Sequence, residues 1–171
     1  MTAVPMLSLL DADVFIQAHR QYYPFDVCPG FWDSLIRHHK AGRLASIDRV
    51  RSELGDDKDE LAHWAKRVMP ASAWLPTDAP PVTAQYGTVM AWVQGNSQFM
   101  DAAKAQFAQG ADGWLIAYAQ VHGHTVVTQE VAAPDAKKRV PIPNVCQRFR
   151  VPVINTFELL RRLGVKLQLS P

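Results

Sequence analysis

Short apolar runs of strand length alternate with helical stretches along nearly the whole chain, and this alternation constrains the fold more than any other feature. The runs lie at residues 6–10, 44–47, 125–128 and 151–154. Helical periodicity follows each of them, a pattern typical of βαβ units and a parallel sheet. A further short strand is expected at residues 165–169. The sequence therefore predicts an α/β fold with a central sheet of four to five parallel strands flanked by helices.

The length of 171 residues fits a single domain, which we place at residues 1–171. Residues 70–81 contain four prolines and are predicted to form a loop. Two helices at about residues 82–94 and 97–109 follow, so residues 70–109 are predicted to be a loop and helical insertion. Other helices are predicted at about residues 12–20, 30–40, 48–54, 56–68 and 112–122, with a last helix that starts after residue 155 and ends at residue 164.

Composition is that of an ordinary globular protein, with 48% apolar and 20% charged residues. No apolar run approaches the roughly 20 residues of a membrane-spanning helix, and residues 1–10 lack the basic start of a signal peptide. Cys28 and Cys146 lie far apart in the sequence and are expected to be reduced and buried. A cytoplasmic location without membrane association is expected.

Four acidic residues lie near the expected carboxyl ends of the strands, where open parallel sheets place their sites. Asp11 directly follows the first strand, and Glu130 lies just beyond the strand at residues 125–128. Glu53 lies in the helix after the second strand, and Asp112 lies in the first turn of the helix that precedes the third. Each has a simpler alternative: Asp112 could cap its helix, and Glu53 and Glu130 could be surface residues.

Carboxylates gathered at one edge of a sheet repel one another, and they stay ionised at neutral pH when a cation lies among them. A set of oxygen ligands without His or Cys suits Mg²⁺ or Mn²⁺. Such an ion activates water and stabilises the charge that develops on phosphate. If the four acids converge, the chemistry that follows is hydrolysis of a phosphodiester.

The four acids lie in segments that resemble the motifs of PIN-domain ribonucleases, in the same order along the chain. The segments are residues 9–15 (LLDADVF), 46–54 (SIDRVRSEL), 111–119 (ADGWLIAYA) and 126–130 (VVTQE). A closer resemblance, to a bacterial toxin-like branch of this superfamily, rests on residues 22–26 (YYPFD), 142–146 (IPNVC) and 154–160 (INTFELL).

The resemblance implies a Rossmann-like, three-layer fold and a ribonuclease that binds Mg²⁺ or Mn²⁺ through Asp11, Glu53, Asp112 and Glu130. It also implies an antitoxin protein as partner, and possible homodimers. Two positions depart from the usual pattern. Asp13 stands where Asn or Ser is usual, and Glu130 stands where many relatives have Asp. Asp13 and Thr128 are expected to support the site by hydrogen bonding, or by direct ligation in the case of Asp13, which could instead only cap its helix.

Basic residues are concentrated in the last part of the chain, where residues 131–171 contain eight Lys or Arg and two acidic residues. Lys137, Lys138 and Arg139 follow Glu130 closely and are candidates for contact with RNA phosphates, although a solvated loop explains them equally well. Unpaired RNA is the expected substrate by family likeness.

Two other functions fit the same residues. Asp11 and Asp13 match the nucleophile motif of haloacid-dehalogenase-type phosphatases, with Thr128 and Lys137 in its later motifs. Such an enzyme would use a late acidic pair, whereas Asp135 and Glu158 are the only acids after Glu130. The second alternative is a degenerate PIN-like module that binds RNA or protein without cleaving.

Overall fold

A computed structural model of the chain describes residues 6–55 and 59–170. Strands alternate with helices, as the sequence predicts. The strands are β1 Ser8–Leu10, β2 Leu44–Ile47, β3 Trp74–Leu75, β4 Thr125–Val127 and β5 Val153–Ile154. The α-helices are α1 Ala12–Gln17, α2 Pro29–Lys40, α3 Asp48–Glu53, α4 Glu60–His63, α5 Pro80–Gly95, α6 Asp101–Gln109, α7 Asp112–His122, α8 Ile142–Phe149 and α9 Thr156–Leu163.

The five strands form one parallel sheet in the order β3-β2-β1-β4-β5. β1 lies at the centre, with Leu9 beside Ala45 of β2 on one side and Val126 of β4 on the other. Leu9, Leu10 and Val126 are fully buried, as expected for strands covered on both faces. The fold is an α/β, Rossmann-like, three-layer arrangement, which confirms the predicted fold class.

Two details of the predicted sheet are wrong. β3 lies inside the proline-rich segment predicted to be a loop: Trp74 is buried, pairs with Ser46 of β2, and donates its indole N–H to the carbonyl of Ala65 at 3.1 Å. Two residues are too few to produce a strand-like sequence pattern. Residues 165–169 form no strand in the described chain, because no neighbouring strand pairs with them, and Leu169 is 95% exposed.

The helices agree more closely with the sequence. α7 spans residues 112–122 as predicted and ends at Gly123 in the left-handed conformation. The Asn155 side chain caps α9 by accepting the Glu158 N–H at 2.9 Å. π-helical turns extend α1 over Ala18–Tyr22 and α4 over Trp64–Val68. The predicted helix start at residues 56–58 lies outside the described residues.

The region predicted to be an insertion belongs to the packed structure, since α5 packs along α7. Val82, Val89 and Val93 on α5 are fully buried. Cys146 is buried as expected, whereas Cys28 is only partly buried, and both thiols are free. Within residues 6–55 and 59–170, no helix has both the length and the apolar character needed to cross a bilayer.

Candidate functional site

Asp11 lies at the carboxyl end of the central strand β1 and is the N-cap residue of α1. Its backbone N–H donates to the carbonyl of Val127 at 3.0 Å, so the end of β4 fixes its position. The residue is only 3% exposed. Thr128, which directly follows β4 and is buried, donates its hydroxyl to Asp11 Oδ2 at 3.0 Å. The first and fourth predicted motifs therefore meet at adjacent strand ends.

The Asp11 carboxyl has a pKa raised well above its usual value. Burial is the largest cause, followed by the negative charge of Asp112. The hydrogen bond from Thr128 lowers the pKa, and the charges of Glu130 and Asp13 raise it. The described residues offer this carboxylate no cationic partner. A buried acid surrounded by other acids is costly to ionise without a cation.

Asp112 opens α7, and its partly buried carboxyl faces the same acids. Its pKa is raised to about 7, first by burial and then by the charges of Glu130 and Glu53. The Arg139 guanidinium lowers the pKa, and Asp13 raises it further. The N-cap residue of α7 is Ala111, and Asp112 is the first residue of the helix itself. Capping therefore does not account for this residue.

Glu53 reaches the start of α7 from the end of α3 and is exposed. Its Oε1 atom accepts the backbone N–H of Ala111 at 2.6 Å. Gly110 leaves room for it, since a Cβ there would lie 3.2 Å from the same oxygen. Glu53 is thus held beside Asp112 by a backbone donor.

Glu130 is held by two donors. Its Oε2 atom accepts the backbone N–H of Ile142, the first residue of α8, at 2.7 Å, and its Oε1 atom pairs with the Arg139 guanidinium. Its own N–H donates to the Thr128 hydroxyl at 3.1 Å. The added methylene relative to Asp lets this carboxylate reach the helix start.

The remaining candidates lie around these four acids. Asp13 is partly buried on α1, and its Oδ2 atom accepts the Gln17 side-chain amide at 2.6 Å. Lys137 and Lys138 are exposed. Arg139 is also 60% exposed, but its guanidinium binds Glu130, a role that the sequence does not reveal. Contact of these three basic residues with RNA stays a prediction.

A cavity of about 370 Å³ opens onto the acids, with Asp112, Glu130 and Arg139 in its wall. A second cavity of about 530 Å³ shares Glu130 and is also lined by Thr128. Buried Cys146 lies behind the cluster: burial raises the pKa of its thiol, and so do the charges of Asp112, Glu130 and Asp11. Sequence spacing gives no sign of this thiol's position.

The oxygen-only donor set suits a hard divalent cation. However, within the part of the chain that the structure describes, no three acidic, His or Cys side chains form a ready-made metal site. Glu53 and Glu130 turn toward backbone and arginine donors instead. The four predicted acids therefore lie close enough to shift one another's pKa, while their direct ligation of metal stays a prediction.

Comparison with known proteins gives one match. Residues 8–167 match a family described as "Domain of unknown function (DUF4411)". No curated protein and no solved structure matches the chain. The matched range includes all five strands and all four acids, and the chain belongs to the DUF4411 family.

Proposed function

We propose that this protein is a metal-dependent endoribonuclease that hydrolyses RNA at the edge formed by β1 and β4. The supporting observation is the pair Asp11 and Asp112, whose carboxyl pKa values are raised by burial and by neighbouring acids. Selection for a stable fold alone would not favour two neighbouring, largely buried acids without a cationic partner. Such groups are typical of functional sites.

Asp11 and Asp112 would hold Mg²⁺ or Mn²⁺, together with Glu130 or Glu53 after a change of side-chain rotamer. When bound, the ion would supply Lewis-acid stabilisation of the phosphate and a more acidic water. Glu53 and Glu130 each have a backbone N–H as alternative partner. These hydrogen bonds place two further carboxylates beside the aspartates with their oxygens paired.

Thr128 orients the Asp11 carboxylate, since it donates to Oδ2 and in turn accepts from the Glu130 N–H. This small network fixes two acids relative to each other. Arg139 supplies positive charge in the wall of the cavity that contains Asp112. Its guanidinium pairs with Glu130, and with RNA present it would be available to a phosphate oxygen.

The wider biological role follows from the likeness to PIN domains. We infer that the protein belongs to that superfamily, works in the cytoplasm, and is the toxin of a toxin–antitoxin pair; the same likeness points to a homodimer. The surface around residues 70–109 is the proposed contact area for the partner. Expression without the partner should slow growth, and expression of the Asp11→Asn variant should not.

The direct test is cleavage of a labelled single-stranded RNA oligonucleotide in Mn²⁺, with EDTA and with the Asp11→Asn variant as controls. Cleavage that requires both metal and Asp11 supports the proposal. Turnover of p-nitrophenyl phosphate without RNA cleavage would instead favour the phosphatase. Binding of RNA without cleavage in any divalent metal would identify a degenerate binding module.

A further inference from the structure

Arg49 is fixed in a stack beside the acid cluster. Its guanidinium carbon lies 3.7 Å from the centre of the Trp114 ring, and Trp114 stacks on Tyr86 with ring centres 3.7 Å apart and planes within 8°. Its Nε atom donates to the Thr77 hydroxyl at 2.9 Å. Thr77 is buried and donates to Asp48 at 2.9 Å. The exposed arginine is thus held on one face by a ring and on one edge by a buried hydroxyl.

This arrangement orders a side chain that is usually mobile. Stacking and the Nε bond fix the guanidinium plane before any ligand arrives, so less conformational entropy is lost on binding. Asp48 accepts from Thr77 and from the Arg49 backbone N–H. Among the described residues, Arg49 forms no ion pair with a carboxylate. The two terminal nitrogens of the fork are therefore the part of the side chain that these contacts leave for an anion.

The position of the stack links it to the proposed active site. Arg49, Trp114 and Glu53 line one cavity of about 300 Å³, and Gly110 and Ala111 also line it. Asp112 is the next residue of the chain, and the Glu53 charge raises its pKa. A phosphate bound by Arg49 would therefore lie in the cavity that Glu53 lines, close to the residue that precedes Asp112.

We propose that Arg49 binds a backbone phosphate of single-stranded RNA next to the one that is cleaved, and so positions the strand across the acids. This proposal deepens the ribonuclease function and rests on it for the identity of the ligand. The guanidinium stacks on Trp114, which in turn stacks on Tyr86, and the hydrogen bond from its Nε atom to Thr77 fixes the orientation of its plane. Glu53 and Asp48 are the acidic groups beside it, and neither is arranged as its ion-pair partner in the described chain.

The test measures binding of a fluorescent single-stranded RNA by anisotropy in Mn²⁺, with the Asp11→Asn protein as a non-cleaving background. In that background, Arg49→Gln should weaken binding roughly tenfold and should reduce the slope of log affinity against log salt by about 0.7, as expected for one lost phosphate contact on a single strand. Arg49→Lys keeps the charge but loses the planar fork, so its RNA affinity should lie between that of the background protein and that of the Arg49→Gln variant.

Arg67→Gln removes an exposed arginine of the π-helical turn after α4 and is the matched control, expected to change neither quantity. If Arg49→Gln lowers the melting temperature but leaves the salt slope unchanged, Arg49 is structural and the proposal is overturned. If Arg49→Gln changes the salt slope of RNA binding but the parent protein, with Asp11 intact, cleaves no RNA, the Arg49 contact is supported and only the ribonuclease function is overturned. Failure of the background protein to bind RNA at all would overturn both.

Discussion

The acids at this edge of the sheet fall into two pairs that differ in what holds them. Asp11 and Asp112 lie at the ends of rigid elements, have strongly raised pKa values, and have no cationic hydrogen-bond partner among the contacts described. Glu53 and Glu130 have longer side chains, and the carboxylate of each accepts a hydrogen bond from a backbone N–H group. Glu130 also forms an ion pair with Arg139.

The difference indicates that the two pairs have different tasks. The aspartates are costly to ionise side by side, and a cation would relieve that cost, so we propose that they form the fixed half of the centre. The glutamates have low-cost resting positions and can move. We therefore expect loss of an aspartate to be more damaging to activity than loss of a glutamate.

The largest effect is expected from Asp11→Asn or Asp112→Asn. Each change removes a proposed metal ligand and should lower RNA cleavage by roughly 10³-fold or more, since a catalytic metal contributes several kcal/mol to transition-state stabilisation. The measurement is single-turnover cleavage in Mn²⁺. Asp33→Asn, at an exposed acid of α2, is the matched control and should cleave at the parent rate. Full activity in either site variant would remove the basis of the proposed site.

Glu130→Gln and Glu53→Gln should have smaller effects, roughly 10- to 100-fold each, because an amide oxygen can still accept from Ile142 or Ala111. The same cleavage assay, run across Mn²⁺ concentrations, separates weaker metal binding from slower chemistry. A loss as deep as that of Asp11→Asn would mean that the glutamates are not the movable half.

Stability should change in the opposite sense from activity. The folded-state pKa of Asp112, about 7, lies above its unfolded value, so the folded state binds the proton more tightly and ionisation opposes folding. Without metal, the contribution of Asp112 should therefore make stability fall as pH rises from about 4 to 7 and level off above. At pH 8, Asp112→Asn should be more stable by up to about 4 kcal/mol, since each unit of the pKa difference is worth about 1.4 kcal/mol; the measurement is urea unfolding in EDTA. A less stable variant with the same pH slope would contradict this electrostatic account.

The smallest effect is expected for metal affinity after Arg139→Gln. The guanidinium pairs with Glu130, so its removal frees that carboxylate, and Mn²⁺ should bind a few-fold more tightly. Lys138→Gln removes a neighbouring exposed charge and controls for general electrostatics. Equal changes in both variants would indicate that Arg139 acts only through long-range charge.

The sequence was sufficient for the fold class and for the region of the site, and insufficient for the state of each side chain. Asp11 could be located because it ends an apolar run, and α7 because Asp112 and Gly123 mark its ends. β3 was missed because two residues carry no periodicity, and residues 165–169 have alternating apolar residues but no strand to pair with. The partners of Glu53 and Glu130 include backbone N–H groups at the starts of α7 and α8, which only the folded chain brings near.

The most direct test of the acid cluster is calorimetric titration of the protein with Mn²⁺ at pH 6.5, in two buffers of different ionisation enthalpy. We predict a saturable site whose occupation releases protons, because Asp112, with a pKa of about 7, and Asp11, whose pKa is also raised, must lose their protons to bind metal. The site should be absent in Asp112→Asn and unchanged in Asp33→Asn. Equal Mn²⁺ binding by both variants, or binding without proton release, would contradict the account.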